Sequence, residues 1–127
     1  MLVVDDYPES ASFIAEYLVL LGFECRVGSG GYEALELAAA FQPHAAILDL
    51  DMPDLHGCEV ARTLCQMGAA RPYLIALTGS VLPTTRPLAI AAGFDHFLLK
   101  PVVLSSLVRL LPSALVPATE QLVARRA

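Results

Sequence analysis

Apolar residues alternate along this chain between two rhythms. Leu2-Val3-Val4, Ala45 to Leu48 and Tyr73 to Leu77 are short apolar runs with the length of strands buried on both faces. Met1 would already belong to the first of them, and Phe23 to Val27 and Phe94 to Leu99 read as two more strands. Between these segments the spacing turns helical. Ile14, Tyr17, Leu18 and Leu21 mark a first helix, and Ala34, Leu35, Leu37, Ala38 and Phe41 a second. Val60, Ala61, Leu64 and Cys65 face inward from a third, a short fourth covers about 86–92, and Leu104, Leu107, Val108 and Leu111 mark a fifth.

The punctuation agrees with this division. Pro8 suits a first helical turn, and Glu9 is favourable near the positive end of the helix dipole. Gly22, Gly68 and Gly93 are expected to end helices, as Gln42-Pro43 and Pro112 do. Gly28-Ser29-Gly30-Gly31 lacks the Lys-Ser/Thr of a P-loop and the spacing of a dinucleotide fingerprint, so it reads as a flexible turn. Residues 1–112 then form one domain, and 113–127 a tail that could hold one helical segment over 118–126. Strands alternating with helices predict an α/β fold, a doubly wound five-stranded parallel sheet with five helices on its two faces. Right-handed crossovers commonly give such a sheet the order 2-1-3-4-5.

That order makes the strand ends informative. Asp5 and Asp6 follow the first strand, and Asp49 is the first residue to leave the third. Thr78 ends the fourth and Lys100 the fifth. All five meet at the C-terminal edge, where open α/β sheets hold their ligands. Two carboxylates about 4 Å apart repel by roughly 4 kcal/mol at an effective dielectric of 20. One lysine does not balance three acids, so a divalent cation is expected. Oxygen-only ligands with open positions suit Mg²⁺ shared with a phosphate. The chemistry implied is metal-assisted phosphoryl transfer to a carboxylate nucleophile, Asp49, with Thr78 as hydroxyl donor and Lys100 as cation.

Composition narrows the class. The chain has 127 residues and a formal charge of −5, which argues against a nucleic-acid surface. Its strictly apolar runs reach only about five residues, against the ~20 needed to span a bilayer. Asp5 and Asp6 sit where a signal peptide needs its basic and apolar regions. Cys25, Cys58 and Cys65 fit no metal spacing and read as small core residues in a reducing compartment. His44, His56 and His96 read as loop or surface residues. A soluble cytoplasmic protein is expected. Its start inside the first strand suits equally a native terminus and a domain cut from a longer protein.

The pieces together resemble the receiver domain of two-component response regulators, including the chemotaxis regulator. They are Leu2-Val3-Val4-Asp5-Asp6, Gly31-Tyr32-Glu33-Ala34-Leu35, Ile47-Leu48-Asp49-Leu50-Asp51-Met52-Pro53 with Gly57, Ala76-Leu77-Thr78-Gly79, Ala92-Gly93-Phe94-Asp95 and Phe97-Leu98-Leu99-Lys100-Pro101. The resemblance covers about residues 1–112 and implies a flavodoxin-like fold. The order 2-1-3-4-5 is also that of the chemotaxis regulator, so topology and resemblance are one expectation. By resemblance, Asp49 accepts a phosphoryl group from a histidine kinase or a histidine phosphotransfer protein. Asp6 binds Mg²⁺ with Asp5 assisting, and Asp49 and the backbone carbonyl of Asp51 complete the protein ligands. Thr78 and Lys100 hold the phosphoryl oxygens, and the Lys100–Pro101 bond is cis. Thr78 and Phe97 act as the switch that remodels the face of the fourth helix, fifth strand and fifth helix. Such a domain is a phosphoacceptor that assists its own phosphorylation and dephosphorylation, not an enzyme.

Three departures stand out. Asp51 adds an acid two positions after the acceptor, expected to alter the lifetime of the acyl phosphate. Pro83 and Pro87 restrict the entry to the fourth helix. Val103 replaces a polar cap before the fifth, at a cost of ~1 kcal/mol. The Asp49-x-Asp51 pair also resembles the nucleophile motif of haloacid-dehalogenase-like phosphatases, which carry it on their first strand. The residues leave open whether the chain is a stand-alone adaptor or the receiver portion of a hybrid sensor kinase. With only the tail after residue 112, no nucleic acid is expected as a partner of this chain alone.

Overall fold

Successive residues of a strand point to opposite faces, so a strand buried on both sides feeds two cores. The structure, a computed structural model, describes residues 1–80 and 82–116. Among these, five strands are β1 (Leu2–Val4), β2 (Arg26–Gly28), β3 (Ala45–Asp49), β4 (Tyr73–Thr78) and β5 (His96–Leu99). They alternate with α1 (Pro8–Leu20), α2 (Gly31–Phe41), α3 (Gly57–Cys65), α4 (Thr85–Ala92) and α5 (Leu104–Leu110). All pairings are parallel, in the order β2-β1-β3-β4-β5. Val4, Leu48 and Ala76 pack with Ala34, Val60, Leu64 and Ala89 from α2, α3 and α4. Val3, Ile47 and Ile75 pack on the other face with Ile14 and Leu18 of α1 and Leu107 of α5. The doubly wound, flavodoxin-like α/β architecture expected from the alternation is therefore present.

Several boundaries differ from expectation, each for a local reason. The strand expected at Phe23 starts at Arg26 instead, because Phe23 belongs to the end of α1. Gly22 takes φ 99°. Its N–H donates to the Val19 carbonyl at 3.0 Å, and the Phe23 N–H reaches back to Leu18 at 3.0 Å. The same pattern moves the start of the fifth strand from Phe94 to His96. Gly93 has φ 109°, and the Phe94 N–H bonds to the Ala89 carbonyl at 3.2 Å. Both phenylalanines are buried. Gly68 does not end α3, which stops at Cys65; it opens a separate 3-10 turn, Gly68–Ala70. Met1 lies outside β1, although its carbonyl accepts from the Arg26 N–H at 2.9 Å. A 3-10 turn follows α5 at Ser113–Leu115. The helical segment read over 118–126 lies outside the described residues.

The glycine cluster is not one flexible turn. Gly28 closes β2, and Gly31 opens α2. Gly30, the N-cap residue, has no side chain with which to cap the helix. Asp54 does it from the loop after β3, accepting from the Gly31 N–H at 2.9 Å and the Tyr32 N–H at 3.1 Å. Those two amides hold the Asp54 carboxyl below its ordinary range. The cysteines divide as well: Cys58 is buried, while Cys25 and Cys65 are only partly covered. His44 and His56 are exposed loop residues as expected. His96 is instead a half-buried residue of β5, its ring 5.7 Å from that of Tyr73.

Candidate functional site

Register builds the site. Val4 pairs with Leu48, so Asp5 and Asp49 leave adjacent strands at the same level. Asp49 pairs with Leu77 and Thr78 with Leu99, which brings Thr78 and Lys100 to the same edge. The end of β3 is held by the Leu50 N–H, which donates to the Leu77 carbonyl at 2.9 Å. Gly57 lets α3 begin directly against it. A Cβ there would stand 2.5 Å from the Asp49 carbonyl oxygen, closer than any side chain could sit. The Lys100–Pro101 bond is cis.

Asp5, Asp6 and Asp49 bring one carboxylate oxygen each to within 4.8 Å of one another. Asp5 is 1 % exposed and Asp49 3 %. Lys100 Nζ lies 2.9 Å from Asp5 Oδ2 and 3.3 Å from Asp49 Oδ1, bridging the two buried acids. Asp5 Oδ1 also accepts from the Tyr7 N–H at 3.0 Å, which ties it to the start of α1. Burial, then the charge of Asp5, pushes the Asp49 carboxyl up to about 6, against the opposing pull of Lys100. Burial draws Lys100 down, but its hydrogen bond to Asp5 and the charges of Asp49 and Asp5 outweigh that, so its ammonium is held more firmly than usual.

These donors fit a hard divalent cation. They are oxygens alone, they carry excess negative charge, and Asp6 keeps one side of the cluster open to solvent. The carboxylates of Asp5, Asp6 and Asp49 stand together as the sequence leads one to expect. Phe97 lies in β5, half-buried, packed against the core beneath α4.

The contacts around Asp51 were not legible beforehand. Thr78, fully buried, donates its hydroxyl proton to Asp51 Oδ2 at 3.3 Å and accepts from the Ser80 N–H at 3.0 Å. Asp51 Oδ1 faces His56 Nε2 at 3.9 Å. His56 caps α3, its Nδ1 accepting from the Cys58 N–H at 3.1 Å. The Asp51 carboxylate thus points at Thr78 and His56, while its N–H lies 3.4 Å from Asp49 Oδ1. No sequence signal pairs residues 27 positions apart in this way.

Comparison with known proteins agrees with this geometry. The family model described as "Response regulator receiver domain" matches residues 1–111. The response regulator MprA of Mycolicibacterium vanbaalenii is 36% identical over 84% of this chain and 46% of its own length. The sensor histidine kinase RcsC of Salmonella typhi is 29% identical over 84% of this chain and 11% of its own. The chain therefore spans less than half the length of either relative. A Burkholderia pseudomallei response regulator, solved with a phosphorylated aspartic acid, a calcium ion and citrate, superposes with a TM-score of 0.78. It is 26% identical, covering 98% of this chain and 70% of that one. Among the described residues no helix is long and apolar enough to cross a membrane. Phosphatases with a similar Asp-x-Asp pair normally carry it on their first strand, whereas Asp49 ends β3. By sequence match, strand order and the acids at its sheet edge, the chain belongs to the response regulator receiver domain family of two-component signal transduction.

Proposed function

We propose that Asp49 accepts a phosphoryl group from the phosphohistidine of a histidine kinase or histidine phosphotransfer protein. The P–N bond of the donor breaks, its electron pair returns to the imidazole, and a P–O bond forms to an Asp49 carboxylate oxygen. One observation carries the reading: three carboxylates from two adjacent strand ends converge within 4.8 Å, and the lysine ending β5 reaches Asp49. The phosphorylated aspartate and calcium in the Burkholderia relative lend it support.

Asp6 and Asp49, with Asp5 directly or through water, and the Asp51 carbonyl would hold Mg²⁺. Bound there, Mg²⁺ supplies neutralising charge to the phosphoryl oxygens. Lys100 moves from bridging two acids to holding a phosphoryl oxygen, and Thr78 donates to another. Thr78 and Phe97 then carry the change to the face of α4, β5 and α5. Residues 1–112 act as this unit and 113–127 as its tail, in the cytoplasm, where such donors are phosphorylated. The domain turns over no external substrate; it promotes only the gain and loss of its own phosphoryl group. The output partner is a protein rather than a nucleic acid, since the formal charge of −5 suits no polyanion.

Intact-mass spectrometry after incubation with acetyl phosphate and Mg²⁺ tests the assignment. The native chain gains one phosphoryl group, and Asp49→Asn gains none. Uptake that survives Asp49→Asn removes Asp49 from this role. Repeated turnover of a small phosphate ester would favour an enzyme.

A further inference from the structure

We infer that Asp51 is a positioning residue that holds Thr78 in its resting arrangement, and that Thr78 must leave it before donating to a phosphoryl oxygen. The inference rests on the receiver reading above but goes beyond it. A threonine hydroxyl has one proton and two lone pairs. Here the Ser80 N–H engages a lone pair at 3.0 Å, and Asp51 Oδ2 takes the proton at 3.3 Å. Thr78 has no second proton to offer. Donation to a group on Asp49 is an exchange of acceptors, not the addition of a bond.

Asp51 is built to make that exchange. Its N–H lies 3.4 Å from Asp49 Oδ1, so its backbone follows the acceptor. Its side chain is 64 % exposed and reaches back over the edge to Thr78. The other oxygen faces His56 Nε2. Because His56 Nδ1 accepts from the Cys58 N–H, the proton of the neutral ring lies on Nε2, towards Asp51. Asp51 therefore sits between a bonded donor at the switch and, 3.9 Å away and not bonded to it, the Nε2 of His56 at the start of α3. A phosphoryl group adds about −1.5 to −2 charge beside it. Repulsion loosens the Asp51 carboxylate from Thr78, and the His56 side remains to receive it. Thr78 then turns its proton to the phosphoryl oxygen. The resting contact opposes the active arrangement, so its loss should shift the population towards that arrangement even before phosphorylation.

The test is a double-mutant cycle read with beryllofluoride and Mg²⁺ as a phosphoryl mimic. Affinity is measured by titration calorimetry for the native chain, Asp51→Ala, Thr78→Ala and the double variant. Removing the Asp51 charge raises affinity somewhat in both backgrounds. The hold on Thr78 adds a further gain of about fivefold that is present with Thr78 and absent with Thr78→Ala. Equal gains in both backgrounds overturn the inference. A second readout needs no mimic. In ligand-free Asp51→Ala, the Thr78 methyl and Ser80 amide resonances move towards their positions in the beryllofluoride-bound native protein; unmoved resonances also overturn it. Asp51→Asn, which keeps an acceptor oxygen but no charge, falls between. Failure of the native chain to bind the mimic, or equal binding by Asp49→Asn, strikes the receiver reading instead. In that case the hold on Thr78 is judged on whether Asp51→Ala alters the ligand-free Thr78 and Ser80 resonances at all.

Discussion

At the N-terminal end of β4 and β5, Arg71 is engaged through two of its three guanidinium nitrogens. Its Nε donates to Cys65 Sγ at 3.2 Å, and a terminal nitrogen donates to the Gly93 carbonyl and pairs with Asp95 at 3.4 Å. Asp95 in turn accepts from the Leu74 N–H at 2.8 Å. One cation, one anion and the ends of α3 and α4 close on each other. At the C-terminal end of the same strands stand four acids, Asp5, Asp6, Asp49 and Asp51, and one lysine, which reaches only Asp5 and Asp49. The first end is balanced without any ligand; the second is not, and a fold gains nothing from that excess charge by itself. Balance marks where the sheet is held together. Imbalance marks the edge at which we propose that a cation and a phosphoryl group are received.

The contrast predicts opposite signs for substitutions at the two ends. Asp49→Asn should lose phosphoryl uptake entirely, yet stabilise the metal-free fold at neutral pH by about 2 kcal/mol, because a buried charge facing Asp5 is removed. Arg71→Ala should do the reverse. It leaves the Gly93 carbonyl with only the weak Cys65 thiol as donor and costs about 1–2 kcal/mol, while uptake from acetyl phosphate is unchanged. Thermal melts paired with intact mass read both effects. An Asp49→Asn protein less stable than native would break the comparison.

The pH dependence sharpens it. The Asp49 carboxyl titrates at about 6, against an ordinary value of 3.8. For an acid with a raised pKa, the contribution to stability is fully present below the unfolded-state value and is lost as pH rises through the folded one. In the absence of Mg²⁺, the native chain should therefore lose stability relative to Asp49→Asn between about pH 4 and about pH 6. Mg²⁺ acts with the opposite sign, since protons compete with it for the same oxygens. Its increment in melting temperature should be large above about pH 7 and shrink below about pH 6. Melts with and without Mg²⁺ across that range check both halves. An increment that ignores pH would remove Asp49 from the metal site.

Legibility in the sequence follows the same division. Asp5, Asp6, Asp49, Thr78 and Lys100 each stand at the end of an apolar run, and parallel topology brings such ends to one edge. Their convergence could be read from the order of the chain alone. Phe23 and Phe94 misled because an apolar residue after a helix-ending glycine serves the helix as readily as it starts a strand. The bonds to Leu18 and Ala89 decide, and they are local enough that Gly-Phe was itself the overlooked signal. The contacts of Asp54 with α2, of Asp51 with Thr78 and of Arg71 with Cys65 had no such signal. They join side chains across loops whose paths depend on the finished packing.

The smallest predicted effect concerns the helix starts, which all lie at the site edge because each helix follows a strand. Tyr7, Gly30, Thr84 and Val103 are N-cap residues whose side chains make no capping bond; among the described residues, only α3 of the five α-helices has its N-cap side chain bonded, from His56. Val103 is the simplest to repair. Its φ of −86° and ψ of 111° already suit a capping residue, and the side chain is 62 % exposed, so little packing is lost. Val103→Ser should raise stability by about 0.5–1 kcal/mol in chemical denaturation, with the slope unchanged. If the site edge is kept weakly capped so that α5 can adjust to events at Lys100, the same substitution should also reduce the shift of α5 amide resonances on adding beryllofluoride and Mg²⁺. Stabilisation with an undiminished shift would mean that the weak cap is a matter of stability alone. Capping and charge would then be independent features of the same edge.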